Sequence, residues 1–305
     1  QGTKCKFTLF IFRVTPRKLN MTAKNSIFTS VLVIGCVIIL VSFAIRSSFG
    51  VFQIPIAEEF NWLRSEFSLA IALQNLAWGI GQPIFSAIAE KIGDRRAIII
   101  GGFTYASGLL LSSAAMTPQA HQIYEILVGF GVAGTGFGVI LAVVGRASSE
   151  KNRSMSLAIA TASGSAGQVI GAPIGELMLN YMPWQSVFVI FSITILSTLL
   201  LLPFMRVSVA INHKNATQNM RDLVGKAVVD PSYSMIFLGF FSCGYQLGFL
   251  TAHFPAFVTE MCNPILPASG IYNLGITSTS ALGAISISLI GLANIAGTLG
   301  AGYLG

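Results

Sequence analysis

The chain has 305 residues, of which 53% are hydrophobic and 10% are charged, and its formal net charge is +7. A soluble domain carries about 25% charged residues, so this composition excludes an ordinary water-soluble protein. The positive balance does not indicate nucleic-acid binding, because every lysine and arginine except Arg46 and Arg64 falls in the N-terminal tail or in alternate loops. This distribution follows the positive-inside rule and predicts a cytoplasmic N-terminus in the inner (plasma) membrane.

Eight apolar stretches are long enough to cross a bilayer, which takes roughly 20 mostly apolar residues per helix. We number them spans 1 to 8, and their approximate bounds are 27–52, 66–89, 97–116, 122–145, 154–178, 184–205, 234–258 and 281–304. They are too long for barrel strands and lack a period of two. The predicted fold class is therefore an all-α integral membrane protein.

Composition divides the chain into four parts. The first is an N-terminal tail, whose first 20 residues we interpret as sequence that precedes the native start of the protein at Met21. The parts are the tail (1–25), a six-helix bundle (26–205), a basic cytoplasmic linker (206–233) and the start of a second bundle (234–305).

Two segments repeat each other at an offset of 216 residues, and both fit the pattern L-x-x-L-A-x-x-x-G-x-x-x-x-small. The copies consist of Leu73, Leu76, Ala77, Gly81 and Ser86, and of Leu289, Leu292, Ala293, Gly297 and Gly302. A second repeat, at an offset of 200, pairs Phe49, Gln53 and Pro55 with Phe249, His253 and Pro255. Duplication in so apolar a chain is typical of a secondary transporter built from two halves. Because the second copy stops at Gly305, we expect a fragment of a twelve-span protein.

Enzyme motifs are weak in this sequence. A G-x-G-x-x-G run at 129–134 lies inside span 4, so we interpret it as helix packing rather than a dinucleotide loop. The 4 cysteines have no metal-ligand spacing and only 3 histidines are present, so we predict no metal site, no cofactor and no enzymatic activity. An intramembrane enzyme or a receptor is the distant alternative.

Polar side chains within the spans are the candidate substrate-binding residues. Arg46 is the one cation predicted inside a span, where a charge normally faces a wet cavity and meets an anion. Its planar guanidinium can bind both oxygens of a carboxylate. The alternative is that the side chain of Arg46 extends to the membrane interface and anchors the helix there. Four further residues of spans 1 and 7 are expected to line the same cavity, namely Gln53, Tyr245, Gln246 and His253.

Other polar residues of the spans are interpreted mainly as contacts between helices. They are Asn75, Gln82, Tyr105, Gln168 and Asn294. Glu176, near the end of span 5, is a candidate proton carrier, whereas Glu125 is counted among the acids of the intervening loops, which hold Arg64 as their one basic residue.

The loop between spans 2 and 3 resembles a signature of the major facilitator superfamily, G-x-x-x-D-x-x-G-x-R-x-[RK]. The matching residues are Ser86, Glu90, Gly93, Asp94, Arg95 and Arg96, with Ser for the first Gly, Glu for Asp and the second Arg one place early. Span 5 resembles the Gly-Pro motif of the same superfamily through Gly167, Gly171, Pro173 and Gly175.

The resemblance covers 26–305 and implies two parallel-repeated six-helix bundles, here with about eight helices, that alternate access to a central site. It also implies that the loop residues Glu90 to Arg96 form a charge network that acts as a conformational gate. The small residues of span 5 let helix backbones approach closely, so we expect them to act as packing or hinge surfaces.

Within the superfamily, the chain is most similar to bacterial members of the monocarboxylate/oxalate branch, through the runs 46–52, 243–246 and 253–255. The similarity implies a monomeric symporter or antiporter for a small organic anion, with a monocarboxylate as the favoured class and the proton as a candidate partner. Span 8 lacks the Asp/Arg pair through which those carriers relay protons. Efflux of drug-like compounds is the alternative, since span 5 resembles a motif common in exporters.

Overall fold

The computed structural model describes residues 27–205, 228–262 and 278–304, with positions 225, 265, 270–273 and 276 between them. All regular elements among these residues are helical. They are α1 (Ser30–Phe60), α2 (Arg64–Ile92), α3 (Asp94–Ser113), α4 (Pro118–Thr135), α5 (Phe137–Ala147), α6 (Arg153–Leu179), α7 (Trp184–Leu199), α8 (Pro231–Met261), α9 (Gly270–Asn273) and α10 (Thr279–Leu304). The tail predicted at 1–25 and most of the predicted linker lie outside the described residues.

All eight predicted spans are helical, which confirms the all-α membrane fold. Spans 5, 6, 7 and 8 correspond to α6, α7, α8 and α10. Span 4 is divided into α4 and α5, because Gly136 between them adopts an extended backbone with φ −95° and ψ −158°. By length and composition, six of the described helical segments can cross a membrane: α1, α4 with α5, α6 with its preceding turn, α7, α8 and α10.

The helix ends follow from local chemistry. The hydroxyl of Thr29 accepts a hydrogen bond from the amide of Leu32 at 3.1 Å and so caps α1. Pro118 opens α4 at a position where a missing N–H costs nothing. Between α2 and α3 the chain turns on Gly93, whose φ of +98° favours glycine. This sharp turn places Asp94 at the start of α3, where a carboxylate complements the helix dipole.

The loops give the molecule two chemically different ends, which we call the basic end and the acidic end. At the basic end, Arg146 donates to the carboxylate of Asp94 at 2.6 Å. At the acidic end, the indole N–H of Trp184 donates to Glu59 at 2.6 Å. The basic end also carries Lys91, Arg95, Arg96 and Arg153, and the acidic end carries Glu58, Glu66 and Glu260.

Helix α6 packs against α1 through glycines spaced by four residues. A Cβ added to Gly167 would lie 2.2 Å from the carbonyl oxygen of Leu40, and one added to Gly171 would lie 2.0 Å from that of Ala44. The two backbones are therefore in direct contact, with no room for a side chain. The same seam buries most of α1 in the core of the bundle.

We call α1 to α7 the first half and α8 to α10 the second half. The second half meets the first mainly along the other face of α6 and at one part of α1. On α6, the hydroxyl of Ser288 in α10 donates to the carbonyl of Val169 at 2.6 Å. On α1, a Cβ at Gly50 would lie 2.2 Å from the carbonyl oxygen of Thr251 in α8. The residues of α8 from Pro231 to Gln246 are almost all exposed, so α8 leaves the first half toward the basic end.

Candidate functional site

Arg46 lies at the middle of α1 and is only 6% exposed. Its Nη2 donates to Oδ1 of Asn75 in α2 at 2.7 Å. The guanidinium carbon lies 4.6 Å from the ring centroid of Trp78 and 6.0 Å from that of Phe43. The side chain is thus held within the bundle by an amide and two aromatic rings rather than extended toward a helix end.

The charge of Arg46 has no acidic counter-ion in the described part of the chain. The ion pairs found there join Arg64 to Glu260 and Arg146 to Asp94. The indole N–H of Trp78, beside the guanidinium, is also buried without a hydrogen-bond partner. A buried cation that keeps four free N–H donors next to an unpaired indole N–H is suited to an anionic group.

This polar group faces the second half of the molecule. The amide nitrogen of Asn75 would lie 3.9 Å from a Cβ at Gly248 in α8. Gly50, one turn beyond Arg46 on α1, is in contact with Thr251 and Pro255 of the same helix. Arg46 and Asn75 therefore lie beside the contact between the two halves.

The other predicted site residues are placed differently. Gln53 is 3% exposed, donates to Ser68 at 3.4 Å and leaves its own Oε1 without a partner. His253 is half-buried, with its ring 5.2 Å from that of Phe249. Tyr245 and Gln246 are exposed on the part of α8 that has left the first half. The structure thus brings Arg46 together with Asn75 and Trp78 rather than with Tyr245.

A cavity of about 340 Å³ lies at the acidic end between α1, α6, α8 and α10. Its polar lining includes Glu176, which accepts a hydrogen bond from the hydroxyl of Ser280. Gly50 and Pro255 form part of the same wall. Glu176 therefore joins α6 to α10 in this conformation.

The predicted gate residues at the basic end form only part of a charge network. Asp94 pairs with Arg146, and Arg95 donates to the carbonyl of Met205. Glu90 and Arg96 are exposed and make no ion pair among the described residues. Gly93 supplies the turn that brings Asp94 to the start of α3.

The predicted packing residues of α6 lie at its contact with α1. Gly167 and Gly171 touch the backbone of α1, and a Cβ at Gly175 would lie 2.8 Å from that of Ser48. Pro173 lies within the same helix without ending it.

A second buried polar cluster was missed in the sequence, where Glu125 was counted as a loop acid. Glu125 is 0% exposed within α4 and accepts hydrogen bonds from Gln74 and Ser112, each at 2.8 Å. His121, one turn earlier on α4, approaches the same Ser112 hydroxyl through Nδ1 at 2.8 Å. The available signal was the spacing of His121 and Glu125, which puts both on one face of α4.

Comparison with known proteins supports a transporter. The profile of the Major Facilitator Superfamily matches residues 34–305. The MFS-type transporter YcxA of Bacillus subtilis is 26% identical over 221 residues, which cover 68% of this chain and 52% of that protein. Monocarboxylate transporter 13 of Bos taurus is 30% identical over 181 residues, which cover 56% of this chain and 38% of that protein. Methyl viologen resistance protein SmvA of Salmonella typhimurium is 27% identical over 132 residues, which cover 43% of this chain and 25% of that protein.

The fold itself matches a solved structure. The crystal structure of a D-xylose-proton symporter superposes with a TM-score of 0.60 at 15% identity, over 88% of this chain and 66% of that one. The chain spans about half the length, or less, of the curated relatives given above. The profile match over nearly the whole chain, together with the helical fold, shows that this multi-pass membrane protein belongs to the major facilitator superfamily of transporters.

Proposed function

We propose that the protein carries a small organic anion across the membrane and that Arg46 binds the anion's carboxylate. The observation that carries this proposal is the buried guanidinium beside the contact between the two halves, with no acidic partner among the described residues. A charge inside a membrane costs from about 2.5 to above 10 kcal/mol, so an arginine there normally meets an anion.

The surroundings of Arg46 favour a planar carboxylate. Asn75 fixes one edge of the guanidinium, and the ring of Trp78 lies against it, so the remaining N–H groups keep a defined direction. Arginine binds both oxygens of a carboxylate in this way, and the indole N–H of Trp78 is a further donor nearby. Similarity to a monocarboxylate transporter supports a monocarboxylate as the substrate class.

Transport would proceed by alternating access between the two halves. The contacts of α8 with α1 and of Glu176 with Ser280 hold the acidic end together, whereas α8 diverges toward the basic end. We assign the basic end to the cytoplasm of a cell bounded by this inner (plasma) membrane, following the positive-inside rule. The gate at Asp94 and Arg146 and the glycines of α6 would then control switching rather than affinity.

Efflux of drug-like compounds is the second candidate, favoured by the similarity to a methyl viologen resistance protein. Cationic compounds would be repelled by the buried guanidinium of Arg46. This candidate is therefore ranked below an anion carrier.

Uptake of a labelled carboxylate panel (lactate, pyruvate, oxalate and formate) by proteoliposomes containing the full-length protein tests the proposal. Charge-assisted hydrogen bonds contribute about 1.5–3 kcal/mol, so Arg46→Gln should raise KM by roughly ten- to a hundred-fold. Arg46→Lys keeps the positive charge but loses the planar guanidinium that binds both carboxylate oxygens. Its KM should therefore lie between those of the wild type and of Arg46→Gln. Arg153→Gln, which removes the same charge from an exposed site, is the matched control.

Unchanged KM in Arg46→Gln would exclude Arg46 from the anion site. Transport of drug-like cations, with no uptake of any carboxylate, would favour the efflux carrier instead.

A further inference from the structure

The cluster around Glu125 is a buried titratable group that anion binding does not use. Glu125 lies within α4 at 0% exposure, and each of its carboxylate oxygens accepts one hydrogen bond, from Gln74 on α2 and from Ser112 on α3. It forms no ion pair in the part of the chain that the structure describes. An acidic side chain kept inside a membrane bundle without a cation typically marks a proton pathway.

Ser112 connects Glu125 to a second titratable group. Its hydroxyl has one hydrogen, which it donates to Oε1 of Glu125, so it accepts a hydrogen bond from Nδ1 of His121. The other ring nitrogen of His121, Nε2, is buried without a partner. The three side chains therefore form a continuous chain of donors and acceptors from Nε2 to the carboxylate.

His121 lies at the acidic-end side of this chain. It is the fourth residue of α4, and its ring centroid is 5.9 Å from that of Trp62, in the loop between α1 and α2. The ring of Phe67 also stacks on the imidazole, with centroids 5.8 Å apart. The aromatic rings pack against the imidazole and hold it in place near the acidic end.

Glu125 is also close to the anion site. Gln74, which donates to Glu125, is followed on α2 by Asn75, which accepts from Arg46. A change of charge on Glu125 would therefore act on the residues that position Arg46.

We propose that Glu125 binds the proton that is transported with the anion, and that His121 and Ser112 relay this proton from the acidic end. A proton added to Nε2 of His121 displaces the hydrogen of Nδ1 to Ser112, and the hydrogen of Ser112 passes to Oε1 of Glu125. The products are neutral His121, an intact serine hydroxyl and a carboxylic acid. Glu66 of α2 is held by Gln122 at 2.6 Å, and Glu90 of α2 and Asp94 of α3 lie at the basic end, so these acids take no part.

The first test is independent of any substrate, although the coupling role rests on the proposed anion carrier. Infrared difference spectra of the full-length protein in lipid are recorded while the pH is varied. A carboxylic-acid carbonyl band should titrate in the wild type, disappear in Glu125→Gln and persist in the control Glu176→Gln. If Glu125→Gln and the wild type give the same carboxylic-acid band, or neither gives one, the proposal is wrong.

The second test separates coupling from anion binding, with the labelled carboxylate panel as the probe. Glu125→Gln should lose proton-driven accumulation but retain exchange of anion across the membrane, whereas Arg46→Gln should weaken both at anion concentrations below its raised KM. Ser112→Ala keeps the carboxyl group and should slow proton-driven accumulation while leaving exchange unchanged. Retained accumulation in Glu125→Gln would overturn the coupling role, and normal exchange in Arg46→Gln would instead overturn the anion site.

Discussion

The two faces of α6 differ in how they meet their neighbours. Toward α1, within the first half, Gly167 and Gly171 place backbone directly against backbone. Toward α10, in the second half, the glycine contact is looser, because a Cβ at Gly291 would lie 3.0 Å from the carbonyl oxygen of Ser165. Hydroxyl groups also join these two helices, with Ser288 bonded to the carbonyl of Val169 and Ser280 bonded to Glu176. Close-packed backbones cannot separate without losing many dispersion contacts, whereas a few hydrogen bonds can exchange partners. We therefore expect the seam with α1, called the permanent seam below, to stay closed, and the seam with α10 to be the one that opens.

The largest effect is expected from Gly171→Leu, which inserts a side chain into the permanent seam. The first added carbon would lie 2.0 Å from the carbonyl oxygen of Ala44, and backbone cannot move aside as a side chain can. Overpacking of a core typically costs about 1–3 kcal/mol, and we expect a loss of stability at or above the upper value. Thermal unfolding in detergent measures it.

The control is Gly79→Leu on α2, because an added side chain there meets nothing within 4 Å. Equal melting temperatures for Gly171→Leu and Gly79→Leu would contradict a permanent seam.

An intermediate effect is expected from Gly291→Leu in the seam between α6 and α10. A Cβ there would lie 2.9 Å from the Val169 side chain and 3.0 Å from the carbonyl oxygen of Ser165. We expect α10 to move away while the first half stays folded. Ala162 is buried on α6, three residues before Ser165 and therefore on the same helix face. Maleimide labelling of Ala162→Cys, in a background with the native cysteines replaced by serine, should become several-fold faster with little change in melting temperature.

The matched control is Gly297→Leu on the same helix, where the added side chain enters open space. Faster labelling with both variants would mean that any leucine on α10 loosens this helix. That result would contradict the claim that the seam between α6 and α10 opens specifically.

The smallest effect is expected from Arg64→Gln, which removes the ion pair between α2 and α8 at the acidic end. Both side chains of that pair are about half exposed, at 52% for Arg64 and 44% for Glu260. Exposed ion pairs contribute about 0–1 kcal/mol, so transport rates should change by less than about fivefold. Since salt screens exposed charges, the difference from wild type should disappear at high ionic strength.

Arg64→Lys keeps the charge and should behave as the wild type. A larger effect that persists in high salt would mean that the acidic end is held by this pair rather than by the contact of Gly50 with α8.

Much of the fold could be predicted from the sequence, because a bilayer accepts only long apolar helices whose backbone groups bond internally. The eight predicted spans correspond to helices for this reason, and their bounds agree within a few residues except that α1 extends to Phe60 and α7 ends at Leu199. The break at Gly136 was not predicted, since glycine inside an apolar run is equally compatible with a continuous helix. The position of Arg46 inside a span was also evident, because a lone cation among apolar residues is conspicuous.

The sequence by itself determined the helices and the presence of one cation within the predicted spans, because these depend on composition along a single segment. Only the tertiary structure decided which side chains meet. Asn75, expected to join helices, lies against Arg46, and Glu125, expected in a loop, lies buried between Gln74 and Ser112. These partners belong to different helices, and their distances depend on how the helices rotate and pack, which local sequence does not specify.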